Sequence, residues 1–194
     1  MANKDAAFGM KPIRMIGGAP YTGGTSRYRI AANYGTSIFQ GDMVAQVTGG
    51  TVEVHADGGT VPVVGVFNGC QFTDPTSGEQ VFQNFYPAST NASDIIAFIV
   101  DDPNVVYEVQ ADDTFPVADL FGNFDIVYTS AGSTQTGISG AELDVTTGAT
   151  ATTLPIKAID ISQDPNNSDV GSANTNVLVV IQNSVFGVKG AGLA

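Results

Sequence analysis

Residues 41–67, GDMVAQVTGGTVEVHADGGTVPVVGVF, decide how the rest of the chain is read. Gly41–Val47 is a short apolar stretch, and Thr48-Gly49-Gly50 behind it is a turn signal. Thr51–His55 then alternates with period two, which puts Val52 and Val54 on one face and Glu53 and His55 on the other. Asp57-Gly58-Gly59 is a second turn, and Val61–Phe67 reads as a third, apolar strand. Short strands joined by glycine turns are antiparallel β structure, and His55 on the polar face is expected to be exposed.

The same grammar continues outward. Ile95–Val100, the turn Asp101-Asp102-Pro103-Asn104 and Val105–Gln110 form a hairpin with Val105, Tyr107 and Val109 on one face. Asp125–Thr129, Leu154–Ser162 and Asn176–Gln182 are further strands. One short helix is predicted over Thr114–Phe121, with Thr114 or a neighbour as cap and Gly122 as stop. Ser130–Thr153, rich in Gly, Ser and Thr, reads as a surface excursion with a weak strand around Leu143–Thr146. Asp42-Met43-Val44 leading to Pro62-Val63-Val64-Gly65-Val66 is echoed by Asp125-Ile126-Val127 leading to Pro155-Ile156-Lys157-Ala158-Ile159. Either a half-barrel is duplicated, or the echo is common strand-and-turn usage.

The fold class is therefore all-β: a compact β-barrel or β-tulip-like body over residues 28–194, preceded by an extended N-terminal arm over residues 1–27. At 194 residues with 43% hydrophobic content, the chain is long enough to bury a core. Its charged fraction is 13%, about half the usual ~25%, which suits a body with much of its surface against neighbours.

Charge is unevenly spread. The net charge is −12, yet five of the seven Lys and Arg fall in residues 1–29, with Asp5 the lone acid there. Lys157 and Lys189 are all that offset the other eighteen acids. Phosphate backbones are held by Lys and Arg, so a body this acidic makes nucleic acid a poor partner. The arm mixes glycines and prolines with large apolar side chains, unlike a plain Gly/Ser spacer. Lys4, Phe8, Met10, Lys11, Ile13, Arg14, Ile16, Tyr21, Arg27 and Arg29 are its candidate contacts with another subunit. The other reading is an N-terminus packed on its own domain. If the arm serves a partner, removing residues 1–26 should leave a folded body that binds less well.

No catalytic constellation stands out. His55 has no nucleophile or second histidine near it in sequence. Cys70 is the single cysteine, which excludes an internal disulfide, and it reads as a small buried residue. The acidic pairs Asp101-Asp102 and Asp112-Asp113 flank one strand and could gather around Ca²⁺, although such pairs are also ordinary turn residues. Gly17-Gly18 and Gly23-Gly24 lack the strand, helix and Gly-Lys-Ser/Thr of a phosphate loop. The longest apolar runs, Ile95–Val100 and Val177–Ile181, are far short of the ~18–20 residues of a bilayer-crossing helix. The expectation is a chain made in a reducing cytoplasm, with no cofactor, no metal and no membrane partner.

In combination, MANKDAAFGMKPIR, YRIAANYGTSIFQGDMV, GGTVEVHADG, VPVVGVFNGCQF, DDPNVVYEVQ and NTNVLVVIQN resemble small virion proteins of tailed phages, notably marine and cyanobacterial ones. The class is that of capsid decoration, or cement, proteins. The resemblance implies a non-enzymatic β-rich subunit, often a homotrimer, that sits on the outer capsid surface and bridges neighbouring major capsid proteins. It also implies an N-terminal arm that contacts the shell or an adjacent copy. A tail, head-fibre or knob subunit is the first alternative, and a carbohydrate-binding or adhesin module the second.

Overall fold

Short apolar and alternating stretches separated by glycine turns form fourteen strands among residues 3–187, the part that the structure, a computed structural model, describes. They are β1 (Lys11–Met15), β2 (Ser26–Arg29), β3 (Ile38–Phe39), β4 (Met43–Val47), β5 (Thr51–Val54), β6 (Val63–Thr73) and β7 (Gln80–Gln83). These are followed by β8 (Phe85–Tyr86), β9 (Ile96–Val100), β10 (Val105–Gln110), β11 (Asn123–Val127), β12 (Glu142–Ala149), β13 (Ile156–Ile161) and β14 (Asn176–Ile181). The protein is all-β. The helix expected over Thr114–Phe121 is reduced to a single 3-10 turn at Val117–Asp119. Phe115 is drawn into the core against Phe124, ring centroids 5.4 Å apart, and Pro116 before the turn is extended at φ −77° and ψ 146°.

Two large antiparallel sheets carry the fold. The first lobe has the order β2-β9-β6-β4-β5, with β7 added to the far half of β6. The second has the order β1-β10-β14-β13-β11-β12. A bridge between Ala111 and Leu143 links β12 back to the end of β10, so the second sheet curls strongly without a continuous ladder closing it. The strand β3 pairs with β8 at the margin.

Apart from the added β1 and β7, the two lobes share one topology. β2, β4, β5, β6 and β9 occupy the sheet positions of β10, β11, β12, β13 and β14. The correspondence extends to register. Phe67 donates to the carbonyl of Asp42 and accepts from Gly41, as Ala158 does with Gly122 and Phe121. One residue onward, the β6–β9 ladder skips Asn68 and the β13–β14 ladder skips Ile159. A bulge inserted at the same point of the same strand pair bends both sheets alike. The strands of the sequence echo do correspond, β4 and β6 with β11 and β13, but in a different register. Asp42 matches Gly122 and not Asp125, and Gly65 matches Ile156 and not Ala158, while Phe67 matches Ala158, Val52 matches Leu143 and Arg27 matches Glu108.

Each lobe has a core. Val44, Phe67, Cys70, Tyr86 and Ile99 centre the first, and Tyr107, Phe124, Leu143, Val177 and Val179 the second. The second core also takes Met43, Val66 and Val100 from the opposite face of the first sheet, so the lobes share an apolar boundary. At that boundary Gly65 lies so close to β9 that a Cβ would sit 2.2 Å from the Val100 carbonyl oxygen. The stretch expected to be a surface excursion is exposed over residues 134–136 and 150–153, but its middle is built in. Residues 137–139 bond to Gln40, Ser139 and Ala141 are buried, and β12 begins at Glu142. Its small residues allow the close approach that its composition disguises as a loop.

Candidate interaction surface

The N-terminal segment is extended, but from Asn3 to Met15 it lies along its own second lobe. The Ala6 amide donates to Gln110 Oε1 at 2.8 Å, and Gln110 Nε2 donates to the Lys4 carbonyl at 2.9 Å. Asn167 bonds to both the amide and the carbonyl of Lys4. Met10 is 1% exposed within the second core, and its amide donates to Gly41 O. The strand β1 then pairs antiparallel with β10, bulging at Ile13 between Pro12 and Arg14.

The ten candidate contacts therefore divide. Met10 is core, and Phe8, Ile13 and Arg14 are half-buried against the chain itself. Tyr21 is half-buried too, its hydroxyl donating to Gly24 O, its pKa raised by burial and then by the charge of Asp101. Lys4, Lys11, Ile16, Arg27 and Arg29 are exposed, with Lys11 Nζ 4.0 Å from Glu108. Lys11, Arg14, Arg27 and Arg29 all lie on β1 and β2, strands at the margins of the two sheets. Cations on edge strands discourage edge-to-edge pairing with other chains, which is one physical reason for positive charge at this end.

The repeat makes the outer faces of the two lobes directly comparable. In the second lobe Glu108 and Gln110 on β10 oppose Leu178 and Asn176 on β14, and all four are buried. Glu108 accepts from Ser162 Oγ at 2.5 Å and from Asn176 Nδ2 at 3.3 Å. Residues 3–6 and the loop through Asn167 bond over the Gln110 end of this face, and a cavity of about 420 Å³ lies between Phe8, Lys11, Glu108, Asp164 and Asn176. In the first lobe the matching residues are Arg27 and Arg29 opposing Phe98 and Ile96. Both arginines are exposed, both apolar residues are half-exposed, and the Arg27 guanidinium lies 5.8 Å from the Phe98 ring centre. The row continues through Gln71 to Phe82, which is 65% exposed on β7. A shallow cavity of about 510 Å³ opens between Phe82, Phe85 and Phe98. No residue of this row except the arginines was singled out by sequence reasoning. Alternation in β7 and β9 does mark one face of each, but only the sheet order brings those faces together.

The other candidates resolve as structure. His55 is buried at 1%, not exposed. β5 ends at Val54, the His55 amide donates to Met43 O, and the ring turns inward, where Nε2 lies 3.0 Å from Val61 O. Its Nδ1 has no hydrogen-bond partner among the described residues. Cys70 is buried, and burial pushes its thiol up to about 12. The acidic pairs hold turns and neighbours. Asp101 accepts from the Tyr28 hydroxyl, Asp102 from Asn104, Asp112 from the Val145 amide, and Asp113 from the Thr114 amide. No cluster of three His, Cys, Asp or Glu able to hold a metal occurs among the described residues. Asp42, buried between the lobes, accepts from the Phe39 amide at 2.7 Å and from Ser139 Oγ at 2.5 Å. Burial pushes its carboxyl up to about 6, with those two bonds opposing the shift.

Among the described residues, no helix is long and apolar enough to cross a membrane. No protein family, curated protein or solved structure matches the chain.

Proposed function

We propose that this chain is a non-enzymatic structural protein of a tailed-phage virion that binds the outer capsid surface and bridges neighbouring major capsid proteins. It would act there as a homotrimer, made in the host cytoplasm and carried on the mature shell. The observation that carries this reading is the contrast of surfaces. An acidic β body exposes cations on its two marginal strands and, beside one of them, an uncovered apolar row from Phe98 to Phe82. Opposite charges steer and orient docking, while the apolar row supplies contact area. Many identical weak contacts on a lattice then add through effective concentration. A ligand that binds only the expanded lattice stabilises it by mass action.

The test is co-sedimentation of the purified protein with undecorated mature capsids, with bound copies counted at low and high salt. Saturation at a copy number tied to the lattice, weakening as salt rises, is the expected result. Absence of binding at either salt would defeat the reading.

A further inference from the structure

The second lobe has a strap; the first lobe has the matching face and, among the described residues, no strap. Residues 4–6 bond to Gln110 on the outer face of β10, and β1 continues along the β10 edge. In the first lobe, β2 takes the place of β10 and β9 that of β14. Nothing among the described residues pairs with the outer edge of β2 as a strand. Nor, among the described residues, does a segment bond across Arg27 or Arg29 as residues 4–11 do across Gln110 and Glu108.

We infer that this face receives an extended acidic and apolar segment of a partner protein, laid across Phe98 and Phe82 and held by Arg27 and Arg29. This deepens the capsid-docking reading and rests on it: the segment belongs to the shell.

Three observations define the occupant. The first is charge. Arg27 and Arg29 are the only Lys or Arg in residues 26–100, a region that holds Asp42, Glu53, Asp57, Asp74, Glu79 and Asp94. Two cations side by side on one face select carboxylates locally, while the surrounding acids repel the continuous charge of a nucleic acid backbone. The second is apolar continuity. Val66 and Val100, on the same face of β6 and β9, already form part of the boundary with the second lobe. Phe98, Ile96 and Phe82 extend that face into solvent. The third is the chain's own solution in the second lobe. There an extended segment bonds to a face of this topology through the backbone of Lys4 and Ala6 on Gln110, and then adds an edge ladder as β1. Strand addition of this kind draws affinity from main-chain bonds and specificity from alternate side chains.

The experiment compares wild type, Arg27→Glu with Arg29→Glu, and Phe82→Ser on undecorated mature capsids, with Val117→Ser as an exposed control in the other lobe. All four positions are surface sites, so matching thermal melts establish that each variant is folded. Binding at least tenfold weaker for both face variants, wild-type binding for Val117→Ser, and slower amide exchange over Ser26–Arg29 on the capsid are expected. If wild type binds and the face variants bind equally well, or if exchange in β2 is unchanged, this inference is overturned and the capsid reading stands. If wild type itself does not bind, both fall.

Discussion

The two lobes share a strand order and a bulge yet treat their outer faces in opposite ways. At one position the second lobe has Glu108, 8% exposed and bonded to Ser162 and Asn176; the first has Arg27, in solvent beside Phe98. The lesson is that a repeated backbone does not repeat a surface. What the second lobe does inside one molecule, with its own N-terminal segment, no strand among the described residues does for the first lobe.

The severest way to break this comparison is to remove the strap. Deleting residues 1–15 takes Met10 from the core, bares the β10 edge and leaves Gln110 without its backbone partners. Truncating a buried Met costs about 2–5 kcal/mol by itself, and the whole deletion is of the order of a domain's entire stability. The truncated protein should therefore fail to fold or melt far below wild type by urea titration. A body that folds normally without residues 1–26, as the arm reading expects, would show that the strap is dispensable.

Asp42 tests the boundary between lobes. Its folded-state pKa of about 6 lies above the ordinary 3.8, so the native state binds the proton more tightly than the unfolded chain. Its contribution favours folding below the unfolded value and is lost as pH rises through the folded one. Replacement by Asn should leave stability at low pH little changed, and raise it near neutral pH by up to roughly 3 kcal/mol. The difference between wild-type and Asp42→Asn melts, followed from acid to neutral pH, measures this; parallel curves would show an ordinary carboxyl.

Gly65 and its repeat partner Ile156 sharpen the comparison at a single position. A Cβ at Gly65 meets the Val100 carbonyl, whereas the second lobe accommodates a full Ile side chain at the same place. Gly65→Ala should cost about 1–3 kcal/mol through overpacking, read as a lower denaturant midpoint. A neutral result would mean that β6 and β9 can separate without penalty.

The mildest test exchanges the surfaces themselves. Glu108→Ala strands the Ser162 hydroxyl and the Asn176 amide and should cost about 1–3 kcal/mol. Arg27→Ala should change stability by no more than about 0.5 kcal/mol, because the residue is exposed. Equal costs for the two would mean that Arg27 is as deeply integrated as Glu108.

Much of the fold was legible in the residues. β10 at Val105–Gln110 follows directly from alternation, and β9, β13 and β14 lie within a residue or two of their predicted limits. β6 was cut short at Phe67, because Asn68-Gly69 looks like a turn and is in fact a bulge beside Gly69 at φ +148°. β1 and β2 were missed, since Pro12 and nearby glycines mask strands whose pairing is supplied by β10 and β9. His55 was misplaced because alternation ends with the strand, and the direction of the next side chain is set by the Asp57-Gly58-Gly59 turn packing behind it. The candidate surface was half legible: Arg27 and Arg29 by charge, Phe82 and Phe98 not at all.

By itself the sequence determined the class of structure and the sign of its surface, because periodicity and charge are local properties of neighbouring residues. It did not determine which half of the repeat would be strapped. That depended on Met10 finding a buried site beside Gly41, and on Gln110 meeting the backbone of Lys4 and Ala6 across a hundred residues of chain. Such pairings exist only once both sheets have formed, so only the tertiary structure could decide which face was covered and which was left open.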